Sequence, residues 1–143
     1  MVERQVQGLG LFRGLLVAQL ITAFVVSLLA LLAGGAAVAL AALWGGTICI
    51  LAHAWAGFQL WLHPGNRKPA RRASSGIRAE IGKIVITLAL FWLTLREIPA
   101  MQTRDMAAAL LVGFFVTQAA GLVWLARNSN RYIQSVNPGE NDS

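Results

Sequence analysis

Two ionisable side chains of opposite sign, Glu80 and Lys83, stand three residues apart in RAEIGKIVIT, residues 78–87, a stretch that runs on into nearly unbroken hydrocarbon. On a helix that spacing puts both on one face, with the acid N-terminal to the base. Charge is costly in an apolar setting, so ionisable groups within membrane segments are candidate functional groups. Two roles fit the pair. In one it is an ion pair at the membrane boundary, where Lys83 reaches back to water along its own stem and Glu80 sits near the positive end of a helix dipole. In the other it is a polar contact for a partner membrane protein or an ion. Gln19, His53 and Gln118 also lie inside apolar runs. A glutamine there more often bonds helix to helix than forms a site, and His53 reads as a satisfied core histidine.

Catalytic chemistry finds little support. No clustered carboxylates or histidines suggest a metal centre, and no nucleophile stands beside an identifiable base. The expectation is a chain that is not an enzyme and has no cofactor and no metal site. Cys49 is the single cysteine, which excludes an intrachain disulfide and reads as a small packing residue. Small residues at four-residue spacing form two stripes: Ala37, Ala41, Gly45, Cys49, His53 and Gly57, then Ala109, Gly113, Thr117 and Gly121. Such stripes allow helices to approach closely in lipid, within one bundle or against a partner's helix.

The elements that must position these residues follow from composition. Of 143 residues, 57% are hydrophobic and only 13% charged, against about 25% charged in ordinary domains. Mean hydropathy is +0.61. Four apolar segments, 14–33, 36–62, 77–95 and 106–126, each approach the roughly 20 residues of a membrane-spanning helix. The first is longer than the core of a cleaved signal peptide, roughly 7–15 residues, and reads as a retained helix. Gly34-Gly35 predicts a tight reversal between the first two segments.

Basic residues set the sides. Arg4 and Arg13 precede the first segment, Arg67, Lys68, Arg71, Arg72 and Arg78 cluster in the second connection, and Arg127 and Arg131 follow the last segment. Only Arg96 and Arg104 flank the third connection. Positive-inside then puts both termini and the basic connection in the cytoplasm. The reading is an all-α polytopic membrane protein of two helical hairpins. A tail over 1–13 leads into a four-helix bundle over 14–126, with the basic connection at 63–76 and a second tail over 127–143. The formal net charge of +6 is accounted for by topology and by anionic lipid headgroups, which Arg67, Lys68, Arg71 and Arg72 are placed to meet. A basic run with interleaved aromatics on a polar fold is absent, so no nucleic-acid partner is expected.

Four stretches then carry a resemblance. FRGLLVAQL, ending at Gln19, is similar to the first-helix pattern of the bacterial F-type ATP synthase protein I (subunit I) family. GGTICILAH resembles that family's Gly-Gly, five residues, Pro-Asn, with Ala52-His53 standing where the family has Pro-Asn. AEIGK resembles its Glu-x-x-Lys, and VTQ its fourth-helix glutamine. The resemblance covers about residues 12–127. It implies a small four-helix accessory protein of the bacterial inner membrane that helps assemble or stabilise the rotor ring of c subunits. Transport of Mg²⁺ or another cation is the alternative it carries. Since His53 replaces the asparagine, a polar side chain persists there, but the proline kink is not expected.

Overall fold

The computed structural model describes the backbone of residues 2–62 and 69–136, with side chains over 8–60 and 74–129. The described residues form α1 (Val2–Gly57), a π-helical stretch (Phe58–Leu62), α2 (Pro69–Glu97), a 3-10 turn (Pro99–Gln102) and α3 (Arg104–Val136). A straight helix of 56 residues would run about 84 Å at about 1.5 Å per residue, far beyond the roughly 30 Å of a bilayer core.

Helix α1 is not straight. Gly35 has φ 83° and ψ −175°, a backbone region open essentially to glycine alone because a Cβ would clash there. At that point the chain reverses into two arms, 2–34 and 36–57. The Ser27 hydroxyl of the first arm donates to the Ala39 carbonyl of the second at 2.9 Å. Nearer the arms' far ends, Ala23 packs against Gly46 and the Phe12 ring against Gly57. The reversal expected at Gly34-Gly35 is thus located at Gly35.

Helix α2 begins at Pro69, so the connection expected over 63–76 is shorter and its second half is helical. Proline suits a helix start, where its missing N–H costs nothing, and the alanines and arginines that follow are good helix formers. The tails expected over 1–13 and 127–143 are helical in part. Helix begins at Val2 and, at the other end, continues to Val136, while residues 137–143 lie outside the described residues.

Helix α3 lies along α1, and α2 also packs mainly on α1. Between α2 and α3 the Pro99–Gln102 turn is tied down locally. Ile98 N–H donates to Thr94 O at 3.1 Å, and Gln102 Nε2 donates to Leu95 O at 2.8 Å. Met101 from this connection and Met106 from the first turn of α3 cover a core of Ala41, Ala42 and Ala109, together with Val26, Ala30 and Val38. Both reversals therefore share one end of the bundle. Trp44 Nε1 donates to Thr94 Oγ1 at 2.8 Å, fastening α2 to α1.

The core is narrow and small-residue rich, with Leu15, Ile48 and Leu110 its largest apolar members. Large apolar side chains point outward from every helix, as far as 84% exposure at Leu32. Soluble proteins rarely expose contiguous apolar surface on this scale. Two helical stretches, Gly8–Leu60 and Arg104–Ser129, are long and apolar enough to cross a membrane. Helix α2 is not among them, because Arg78, Glu80, Lys83, Arg96 and Glu97 interrupt its hydrocarbon.

Candidate functional site

Glu80 and Lys83 form an ion pair, with Lys83 Nζ 2.9 Å from Glu80 Oε2. They do not share an environment. The Glu80 side chain is 67% exposed and that of Lys83 20%, so the acid points outward and the base lies against the bundle. Because α2 starts at Pro69, the pair sits about three turns into the helix at about 3.6 residues per turn. Influence from a helix dipole fades within the first turn. The expected dipole contribution to Glu80 at a helix start is therefore corrected.

Lys83 lines a groove of about 260 Å³ between α2 and α3, together with Thr87, Leu88, Phe114, Phe115 and Gln118. Of its lining residues, Phe114 also meets Phe91 of α2 edge to face, ring centroids 5.1 Å apart. Sequence reasoning did not find this feature. Only the apposition of two helices that hardly touch creates it.

Gln19, Cys49, His53 and Gln118 come together in the interior. The Cys49 thiol donates to Gln118 Oε1 at 3.2 Å and is met by Gln19 Nε2 at 3.6 Å. His53 Nδ1 lies 2.9 Å from the Cys49 carbonyl and 3.1 Å from Gln19 Nε2. A carbonyl only accepts, so the first contact requires the Nδ1–H tautomer. Gln19 then serves that proton best with its amide turned so that Oε1, which has no partner and is buried, faces the ring. Thr117 Oγ1 is likewise buried without a partner. The cluster joins both arms of α1 to α3, and helix continues unbroken through Ala52-His53, consistent with the absence of proline.

The two small-residue stripes face each other. A Cβ on Gly45 would meet the backbone carbonyl of Leu110, and one on Gly113 that of Ala42. Backbones of α1 and α3 are thus in direct contact at this level. Gly121 faces Leu15 and the Gln19 amide, whereas Gly57 is filled by Phe12. These positions are occupied within the chain itself. Of the basic residues expected at lipid headgroups, Arg67 and Lys68 lie outside the described residues; Arg71 and Arg72 fall within α2, but their side chains are not described.

An all-helical bundle with an apolar exterior, a small-residue core and a few internal polar contacts defines a membrane protein by class. The chain belongs to the ATP synthase I chain family, whose model matches residues 14–115, most of its length. Membership associates it with ATP synthase. No curated protein and no solved structure matches it.

Proposed function

We propose that this chain is a non-enzymatic accessory protein of the bacterial F-type ATP synthase that helps assemble or stabilise the c-subunit rotor ring in the inner membrane. The family match over residues 14–115 carries this reading. In it, the arms of α1, α2 and α3 cross the bilayer as four spans, with both termini and the basic connection on the cytoplasmic side. Arg67, Lys68, Arg71 and Arg72 then meet anionic headgroups.

In this reading α2 offers the partner an apolar face. Helix α2 packs mainly on α1, and its Ile81, Val85, Leu88 and Trp92 form an exposed apolar stripe at helical spacing. Glu80 stands at the charged end of the same helix. A ring subunit awaiting its neighbours needs temporary cover for an apolar face, and a stripe with one polar contact suits brief association better than the interlocked glycine stripes inside.

The test is a deletion strain. Ring yield per cell is expected to fall while ATP hydrolysis per assembled complex holds. Unchanged ring yield with lowered hydrolysis per complex would rule out the assembly role. Cation flux into liposomes holding the purified chain alone would favour transport instead.

A further inference from the structure

We infer that the groove between α2 and α3 is a binding site for one anionic phospholipid, its phosphate held by Lys83 and one acyl chain directed toward the Phe91–Phe114 contact. Such a site requires a membrane setting but no part in ring assembly.

Size limits the occupant. The groove holds about 260 Å³, more than the roughly 150 Å³ of an apolar cavity that takes up benzene. A helix with its side chains is about 10–12 Å across, too wide to enter, whereas a hydrocarbon chain fits. The walls suit one. Leu88 and Phe115 are 64% and 61% exposed, and Phe114, in edge-to-face contact with Phe91, adds a further apolar wall.

The polar groups in the walls are chiefly donors. Lys83 has three N–H donors and Glu80 engages it at one contact. Gln118 has its oxygen turned to the Cys49 thiol, which leaves its amide N–H₂ without a protein partner among the described residues. A phospholipid supplies the matching acceptors in order of depth, with phosphate oxygens above and ester carbonyls below. Lys83 reaches the first by extending toward the headgroups, and the Gln118 amide the second.

Charge selects the headgroup. Counting from the Phe91–Phe114 contact, Arg78 on α2 and Arg127 on α3 both lie roughly 20 Å along their helices toward the same end, at about 1.5 Å per residue. Both are exposed. With Lys83 they add positive charge to an end where, among the described residues, Glu80 is the acidic side chain. An anionic headgroup is drawn to that end, whereas the cationic part of a zwitterionic one is repelled.

Native mass spectrometry of the purified chain tests the site, after exchange into detergent with phosphatidylglycerol or with phosphatidylcholine of the same acyl chains. One phosphatidylglycerol per chain is expected to survive delipidation, and no phosphatidylcholine. Lys83→Gln should lower retention about fivefold, the factor for one lysine near an anionic surface. Thr87→Trp, which keeps Lys83 but fills the groove, should release the lipid as well, while Arg104→Gln, exposed at the opposite end of α3, should leave it bound. Equal retention of the two lipids, or retention unchanged in Thr87→Trp, overturns the site. Should Lys83→Gln fail to fold, phosphatidylglycerol with a photoreactive acyl terminus decides. Labelling near Phe91, Phe114 and Phe115 supports the site. Labelling confined to other helices, or groove residues that cross-link to a second polypeptide in place of lipid, overturns it.

Discussion

Gln19 Nε2 lies 3.1 Å from His53 Nδ1, although the two are 34 positions apart along the chain, one on each arm of α1. In a straight helix they would be about 51 Å apart at about 1.5 Å per residue. The contact exists because Gly35 turns one arm back along the other, so the polar cluster depends on a single backbone conformation.

Gly35→Ala should therefore destabilise the protein by about 1–3 kcal/mol, the usual cost of a residue forced into a glycine-only region. Gly34→Ala should cost less, since Gly34 has no positive φ and its new Cβ would press on the Val38 side chain but not on a backbone conformation reserved for glycine. Thermal unfolding in detergent separates the two. Equal effects would mean that the reversal does not depend on the Gly35 backbone.

Gly45→Ala and Gly113→Ala should each push α1 from α3, because the new Cβ meets a backbone carbonyl that cannot turn away. Overpacking of this kind costs typically about 1–3 kcal/mol. Gly10→Ala is the control, with nothing within 4 Å of its Cβ. A Gly45→Ala protein as stable as Gly10→Ala would deny the close approach.

The interior polar atoms should answer differently to isosteric change. Thr117 Oγ1 has no partner, so Thr117→Val should be neutral or stabilising, as expected when a buried unsatisfied hydroxyl is replaced by a methyl. Gln19→Leu removes contacts to Cys49 and His53 and should cost about 0.6–1.7 kcal/mol, the range for hydrogen bonds between membrane helices. A destabilised Thr117→Val would reveal a bond the hydroxyl makes in the bilayer.

Glu80→Gln should change stability by less than about 1 kcal/mol, since its side chain is largely exposed and such pairs contribute little. Insertion should be normal, while recovery of c subunits from native membranes should drop. Full recovery with Glu80→Gln would leave the pair without a part in partner binding.

Sidedness is open to labelling. Cysteine introduced at Gln102, in the connection that shares an end with Gly35, and at Ser143 should react with a membrane-impermeant reagent from opposite sides. Native Cys49 is buried and should stay silent. Labelling of both from one side would overturn the four-span reading.

Much of this architecture is written along the chain. The apolar segments, the reversal at Gly34-Gly35, the two small-residue stripes and the Glu80–Lys83 spacing are local properties, set by hydropathy, glycine's backbone freedom and helical periodicity, and each is legible within one segment. The helix boundary at Pro69 was less so, because proline both breaks and begins helices and only the following turns decide which. Other features arise between segments. Periodicity shows that Gly45 and Gly113 lie on small faces, but only packing brings each against the other helix's backbone. Spacing puts Glu80 and Lys83 on one face, yet the position of α1 and α3 turns Lys83 inward and leaves Glu80 outside. The Gln19–His53–Cys49–Gln118 cluster and the α2–α3 groove have no counterpart in any single segment. They depend on how far apart helices settle, which follows from the volumes of side chains meeting across an interface and not from the order of residues along either helix.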